Sequence, residues 1–419
     1  MDLCSRLEET KKQEIAAVFN SHFGIKTYNK RAGTGAVEQY YRTKLLAMVL
    51  FRLLHDDQID SFYLGNNLGE VGAFDDVVLR TCSQVQTLLD LGANANLGKT
   101  SNGYTPLHWA AENDLPEIIQ LLIDKGANID CITTNAGLTP LNLAAYCKST
   151  NAVKMLLDLG ANANLGITSN GLTPLHCAAV KDSPEIIQLL IDKGANIDCI
   201  TTDDGKTPLN LAAYCKSTNA VKMLLDLGAN ANLGITSNGL TPLHCAAEKD
   251  SPEIIQLLID KGANIDCITT DDGQTPLSQA AMSKSTNAVK MLLDLGANAN
   301  LGETSDGFTP LHWAVQNNMP EIIQLLIDKG ANIDCTTDDG RTPLYQAASF
   351  KSTNAVKMLL DLGANANLDD ATVATSQQAA SVASAASVSV RWPSRLVLVR
   401  LLDCSRESFV SRVSKQLSK

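Results

Sequence analysis

Residues 171–204 read G-L-T-P-L-H-C-A-A-V-K-D-S-P-E-I-I-Q-L-L-I-D-K-G-A-N-I-D-C-I-T-T-D-D, and this stretch decides the fold. Apolar residues recur at helical spacing after Thr173, which predicts a short first helix. Ser183 in the N-cap position, followed by Pro184, predicts the start of a second helix. Gly194, just past the last apolar residue, predicts a left-handed helix end. The unit is therefore predicted as two helices followed by a finger of turn-forming residues.

The tripeptide Thr-Pro-Leu recurs eight times at a nearly constant interval, which is 34 residues six times and 33 residues the last time. Its threonines are Thr105, Thr139, Thr173, Thr207, Thr241, Thr275, Thr309 and Thr342. A period in this range indicates stacked units that bury their apolar faces only against neighbours. Two repeat types alternate, so the duplicated module is 68 residues long. Type A repeats contain P-E-I-I-Q-L-L-I-D-K-G, and type B repeats contain N-A-V-K-M-L-L-D-L-G.

The unit resembles the ankyrin repeat, whose pattern includes T-P-L-H-x-A-A, a Leu-Leu pair and G-A-[ND]-x-[ND]. The resemblance implies an all-α solenoid of helix–turn–helix units with β-turn fingers, with about nine repeats in all. One departure lies between the two helices. Where the family has Gly-His, this chain has residues 182–184 (D-S-P) or residues 216–218 (K-S-T). This change alters the inter-helix turn but leaves a capped helix start, so the predicted fold is unchanged.

The chain divides into four predicted regions. These are a small helical N-terminal region at 1–68, the repeat array at 69–370, a low-complexity Ala/Ser linker at 371–390 and a basic tail at 391–419. The array opens with a degenerate capping repeat at 69–102, because residues 85–97 match type B but lack Thr-Pro-Leu. The eight further repeats start near residues 103, 137, 171, 205, 239, 273, 307 and 340.

Charge and cysteine usage limit the partners and the compartment. The net charge is −11, and the tail at 391–419 carries +5, so the rest of the chain carries −16. Such an acidic array is a poor match for nucleic-acid phosphates. Cys131, Cys199, Cys267 and Cys335 lie 68 residues apart, which separates their backbones by roughly 20 Å and predicts reduced thiols. We therefore expect a monomer in the cytoplasm or the nucleus, without stable membrane insertion.

Four of the six histidines occupy one repeat position and are too evenly spaced to converge on one metal ion. They are His108, His176, His244 and His312. The ankyrin resemblance implies that this histidine is a structural hydrogen-bonding residue between the finger and the first helix. We therefore expect no catalytic residues, no metal site and no cofactor, and predict that the chain is not an enzyme.

Two alternatives concern the ends of the chain. Residues 62–80 resemble the opening of a PD-(D/E)xK-type metal-dependent nuclease module, and Glu70, Asp75 and Asp76 would then be its metal-binding carboxylates. No strand carrying [EQ]-x-K follows, so an inactive remnant or a plain helical cap is the favoured interpretation. The basic tail at 391–419 could instead recruit a substrate or an adaptor, although the sequence signatures of such segments are missing.

The positions at which the copies differ predict the binding surface. They lie before each Thr-Pro-Leu, at the base of the finger, and on one face of the first helix. In ankyrin proteins these positions line the concave groove, so the resemblance implies a non-catalytic scaffold for a protein partner. The predicted partner-binding residues are Tyr104, Trp109, Glu112, Leu138, Tyr146, Lys206, Tyr214, Gln274, Phe308, Trp313, Arg341, Tyr345 and Phe350.

Overall fold

The computed structural model of the protein describes residues 82–366, except for 84, 91, 98–102, 135, 167–169 and 236. The chain forms two compact units. Among the described residues, the N-terminal unit runs to Ala212 and includes Asn219–Ala229, and the C-terminal unit comprises Ala213–Thr218 and the residues from Asn230 to 366. Several predictions lie outside the described residues: the helical region at 1–68, the nuclease carboxylates Glu70, Asp75 and Asp76, the linker at 371–390 and the tail at 391–419.

Helices and turns make up the described residues, which contain no β-strand, so the all-α prediction is confirmed. Sixteen helices lie between Pro106 and Asp361 in this part of the chain, in eight pairs that match eight full repeats. The first helices are α1 Pro106–Glu112, α3 Pro140–Cys147, α5 Pro174–Val180, α7 Pro208–Tyr214, α9 Pro242–Glu248, α11 Pro276–Met282, α13 Pro310–Gln316 and α15 Pro343–Ser349. The second helices are α2 Pro116–Asp124, α4 Thr150–Asp158, α6 Pro184–Asp192, α8 Thr218–Asp226, α10 Pro252–Asp260, α12 Thr286–Asp294, α14 Pro320–Asp328 and α16 Thr353–Asp361.

Both helices of each pair contribute to the core, with the larger apolar side chains mainly on the second helix. Ile186, Ile187 and Leu190 of α6 are buried, as are the small residues Ala178 and Ala179 of α5. Burying a side chain such as isoleucine or leucine contributes roughly 1.5–3 kcal/mol. The alanines leave little side-chain bulk between the two helices, which lets them pack closely.

The helix ends follow the predicted local signals. In α3, Thr139 Oγ1 accepts a hydrogen bond from Asn142 N at 3.1 Å, and Asn142 Oδ1 accepts one from Thr139 N at 3.1 Å. This reciprocal pair satisfies two backbone donors at the helix start. Gly194 has φ +83°, and the next residue, Ala195, donates its N–H to Leu190 O at 3.0 Å. The predicted left-handed end at Gly194 is therefore confirmed.

The inter-helix turns keep a left-handed residue although glycine is absent. Asp182 has φ +53° and Lys148 has φ +62°. The residues in this conformation are Asp114, Lys148, Asp182, Lys216, Asp250, Lys284, Asn318 and Lys351. Residues with a Cβ are strained in this region, by roughly 1–2 kcal/mol each. The repeats therefore keep the backbone geometry of the turn at some cost in stability.

The predicted cap at Ser183 is only partly right. Ser183 does occupy the N-cap position of α6, but its side chain makes no hydrogen bond to the helix. Instead, Ser183 Oγ lies 3.4 Å from Lys181 O. The side chain turns back because the left-handed turn brings that carbonyl within reach. The start of α6 therefore relies on Pro184, whose missing N–H requires no partner.

An aspartate of a type A repeat caps the second helix of the type B repeat that follows it. Asp114, in the turn between α1 and α2, accepts hydrogen bonds from Ala152 N at 2.7 Å and from Asn151 Nδ2 at 2.9 Å. Both donors belong to the first turn of α4, so the carboxylate satisfies the start of a helix one repeat away. Asp182 and Asp250 repeat the arrangement with α8 and α12. The two repeats of a 68-residue period are thus connected by hydrogen bonds and form one structural module.

Candidate partner-binding surface

Each of the four equally spaced histidines lies on a first helix. It forms hydrogen bonds to the residue before that helix and to the finger that follows the repeat. His176 Nδ1 accepts from Thr173 N at 3.1 Å, so its Nε2 carries the proton and donates to Lys206 O at 2.9 Å. Burial lowers the pKa of His176 to about 4, which keeps the ring neutral at pH 7. His108, His244 and His312 make the corresponding bonds. The predicted structural role of this histidine is confirmed.

The cysteine of each type A finger completes this cluster without becoming a nucleophile. Cys199 Sγ lies 3.3 Å from Thr173 Oγ1, and burial raises the pKa of the Cys199 thiol. A thiol with a raised pKa holds little of the reactive thiolate at neutral pH. None of the cysteines in the described ranges forms a disulfide. Within the same ranges, no group of three His, Cys, Asp or Glu side chains is placed to hold a metal ion.

In the N-terminal unit, three predicted binding residues come together. The ring of Tyr104 lies edge-on to Trp109 with centroids 5.2 Å apart, and Tyr104 OH donates to Glu112 Oε2 at 3.0 Å. Burial, with the negative charge of Glu112, raises the pKa of Tyr104, so the phenol stays protonated. All three side chains are half-buried. We call this group the Tyr104 cluster.

In the C-terminal unit, a second aromatic pair has the same positions in its repeat. The rings of Phe308 and Trp313 have centroids 5.2 Å apart. Trp313 Nε1 donates to Glu303 Oε1 at 2.6 Å, and Glu303 also accepts a hydrogen bond from the Gln274 side chain. We call Gln274, Glu303, Phe308 and Trp313 the Trp313 cluster. Three of its four residues were predicted from the sequence, and Glu303 was missed.

A comparison of the copies could have found Glu303. The same position in the preceding type B finger is Ile235, and both residues are only 5% exposed. Trp313 likewise stands where the preceding type A helix has Cys245. The two changes occur together ten residues apart. The replacement of an isoleucine by a glutamate was therefore the signal in the sequence. It was missed because the position lies on the finger, outside the variable positions that were compared.

Two further predicted residues form exposed stacks with lysines. Lys181 Nζ lies 3.8 Å from the centroid of the Tyr146 ring, and Lys249 Nζ lies 3.8 Å from that of Tyr214. Both tyrosines are about half exposed, so their outer faces remain accessible to a partner. Cation–π pairs at such exposed sites contribute about 0.5–1 kcal/mol. Phe350 is the most exposed aromatic residue of the predicted set within the described chain.

Of the remaining predicted residues, Leu138, Lys206 and Arg341 lie at the bases of the fingers, and Tyr345 lies on α15. Leu138 is half-buried, and its N–H donates to Thr133 Oγ1 at 3.0 Å. Lys206 pairs with Asp204. Arg341 pairs with Asp339 at 3.0 Å, and its guanidinium carbon lies 6.0 Å from the centroid of the half-buried Tyr345 ring. These exposed pairs contribute little stability.

The first-helix position that contains Trp109 and Trp313 is not exposed in every copy. Cys177, Cys245, Gln279 and Gln346 occupy this position and are buried. Gln346 Nε2 donates to Gln316 Oε1 of the preceding repeat at 2.9 Å. The repeat pattern predicts that this variable position lies on the exposed side of the first helix, and for these four copies the prediction is wrong, because small or amide side chains pack there between repeats. Trp109 and Trp313 are half-exposed at this position, as is Leu211.

The repeat array also matches the model of a known protein family. A family model described as ankyrin repeats (3 copies) matches residues 78–167, 162–235, 230–303 and 295–370, which is more than half of the chain. A search of curated proteins found no match. None of the helices in the described part is long and apolar enough to span a bilayer.

Proposed function

Because the chain belongs to the ankyrin-repeat family, we propose that it is a non-catalytic scaffold that binds a protein partner through its fingers and first helices. Ankyrin repeats are in general protein–protein interaction modules, and stacked repeats use extended surfaces for binding. The hydrogen bonds of the four histidines and the aspartate caps between repeats recur in several copies, so they belong to the common framework of the array. Partner choice then depends on the residues that differ between copies.

One observation supports the location of the site. An aromatic pair beside a carboxylate occurs in the Tyr104 cluster and again in the Trp313 cluster, each within one unit. The two type A copies between them have Leu172 with Cys177 and Leu240 with Cys245 at the aromatic positions. Half-buried tyrosine and tryptophan side chains are the residue types that dominate binding energy in interfaces. We therefore propose these two clusters as the anchors for the partner.

The test replaces each aromatic pair with the residues that another copy of the repeat has at the same positions. In the full-length protein, Phe308→Leu with Trp313→Cys turns the C-terminal pair into that of the preceding type A copy. Tyr104→Leu with Trp109→Cys does the same for the N-terminal pair. We expect each double variant to lose proteins that the parental chain captures in affinity purification, because aromatic anchors typically contribute about 2 kcal/mol or more each. Lys329→Ala, on an exposed second-helix end, is the matched control and should retain them.

The proposal fails if both double variants, shown to be folded by circular dichroism, capture the same proteins as the parental chain. Loss from one double variant alone would assign the site to a single unit. Loss of the same proteins from the Lys329→Ala control would show that the loss is not specific to these clusters, and the assignment of the site to them would then fail.

Further parts of the proposal concern the whole chain. We propose the layout of an N-terminal region at 1–68, an array at 69–370, a linker at 371–390 and a tail at 391–419. A monomer in the cytoplasm or nucleus, without a cofactor, agrees with the thiols and acidic charge of the array. Acidic pairs such as Asp203 with Asp204 on the fingers also oppose binding of nucleic acid to this surface.

A further inference from the structure

Glu303 is a buried carboxyl group at a position where the fold accepts an apolar side chain. It lies on the finger between α12 and α13 and is 5% exposed, as is Ile235 in the preceding type B finger. Its Oε1 accepts the indole N–H of Trp313 at 2.6 Å. The framework does not require this hydrogen bond, because the copy with Ile235 and Cys245 forms the same finger without it.

The charges around Glu303 come from several elements. On the preceding finger lie Asp272 and the donor Gln274, and on its own finger lies Asp306. On α13, burial lowers the pKa of His312, which stays neutral near pH 7. On the following finger, Asp338 donates its N–H to Asp306 O, and Arg341 is paired with Asp339. Burial raises the pKa of the Glu303 carboxyl to about 7, the charges of Asp306 and Asp272 act in the same direction, and the bonds from Trp313 and Gln274 oppose them.

We propose that Glu303 is a proton-operated latch on Trp313: its carboxylate holds the indole, and binding of one proton from solvent releases it. The indole of Trp313 packs against Phe308, so the latch controls the arrangement of both rings. An ionised acceptor forms a stronger hydrogen bond than a neutral one, by a margin that changes the ratio of latched to released protein about fivefold. Above neutral pH the aromatic pair is held in place, and in mild acid it is loosened.

The consequence for binding rests on the proposed function of the Trp313 cluster. If a partner docks on the arrangement held by the ionised carboxylate, its affinity falls in acid with the latched fraction, by less than about fivefold. Glu303 is then a positioning residue, because it acts on the partner through Trp313.

The latch itself is tested without any partner. We would follow the indole N–H resonances of the full-length protein by NMR from about pH 5 to pH 9, and assign that of Trp313 by its loss in Trp313→Phe. We expect its chemical shift to titrate with a midpoint near pH 7, and to be constant in Glu303→Gln and in Glu303→Ile. The latter reproduces the preceding finger, so one of the two variants provides a folded comparison. A Trp313 resonance that is constant in the parental protein would overturn the latch.

The regulatory consequence is tested separately. The proteins whose capture is lost in Trp313→Cys would be measured again at about pH 6 and about pH 8 with the parental chain and with Glu303→Gln. We expect weaker capture in acid for the parental chain, by less than about fivefold, and no pH dependence for the variant. Equal capture at both pH values would overturn the regulation and leave the proposed function intact. If no captured protein depends on Trp313, the proposed function fails at this cluster and the regulation with it, whereas the latch is decided by the NMR titration.

Discussion

The fingers that contain Ile235 and Glu303 occupy the same place in two copies of one module, yet they differ in chemistry. Their backbones are nearly identical: Ile235 N donates to Leu240 O at 2.9 Å, and Glu303 N donates to Phe308 O at 2.8 Å. Both side chains are buried. The backbone hydrogen bonds therefore define the finger, and the buried side chain can change from apolar to ionisable. In the second copy, Glu303 takes the place of the isoleucine and accepts a hydrogen bond from Trp313, a candidate anchor for the partner.

The most disruptive test of this comparison transfers the carboxyl to the other finger. We expect Ile235→Glu to lower the free energy of unfolding at pH 8 by about 4 kcal/mol, because it removes a buried isoleucine and introduces a charge in a copy that has Cys245 at the position of the Trp313 indole. Urea unfolding followed by circular dichroism measures the loss. Ile235→Leu is the control and should lose less than about 1.5 kcal/mol.

Adding Cys245→Trp to Ile235→Glu sharpens the test, because it supplies the donor that Glu303 has. We expect the pair to be more stable than the sum of the two single changes by about 1 kcal/mol. An Ile235→Glu variant as stable as the parental protein at pH 8 would contradict the idea that this position disfavours charge.

The second test removes the charge where it occurs naturally. We expect Glu303→Gln to raise the free energy of unfolding at pH 8 by about 3 kcal/mol, because the amide still accepts a hydrogen bond but needs no desolvation of a charge. Burial raises the pKa of Glu303 to about 7 in the folded protein, from an ordinary value of 4.5. Between these values the folded state holds a proton that the unfolded chain has lost, so stability falls as pH rises through this window.

Above the upper value both states are ionised, and the stability lost through Glu303 stays constant. Below the lower value both states are protonated, so the gain from Glu303→Gln should vanish there. Unfolding measured at a series of pH values checks this profile. A gain of equal size in acid and in base would show that the carboxyl charge is not the cause.

The smallest expected effect concerns the two inter-helix turns between these fingers. Lys284 has φ +61°, so Lys284→Gly should raise stability by about 1 kcal/mol by relieving strain. Asp250 has φ +52°, but it accepts Ala288 N and Asn287 Nδ2, both at 2.8 Å. Asp250→Gly should therefore lower stability by about 1 kcal/mol through loss of the cap. Thermal unfolding of the two variants would contradict this difference if both shifted in the same direction.

Much of the fold followed from the chain because its signals are local. Thr173 and Pro184 mark helix starts, and Gly194 marks a helix end, within a few residues of the backbone groups that they satisfy. The structural role of His176 was also predictable, since the ankyrin resemblance places it between finger and helix. The caps were not predictable in full. The donor that Asp114 satisfies, Ala152 N, is 38 residues away along the chain.

The candidate site was predicted less completely than the fold. Aromatic residues at variable positions identified Tyr104, Trp109, Phe308 and Trp313, and the structure brings them together as two pairs. Glu303 escaped notice because an acidic residue in a finger is normally expected to be exposed. Its electrostatic environment includes Asp272 and Gln274 of the preceding finger, which no local pattern reveals.

The sequence by itself determined the repeat period, the two alternating types, the helix starts and ends, and the positions at which the copies differ. Tertiary structure decided which of those positions are buried, which acids cap a neighbouring helix, and that Glu303 faces Trp313 in a desolvated site. The division has a physical reason. Backbone propensities act over three or four residues, whereas burial and electrostatic environment depend on atoms that one repeat receives from the next.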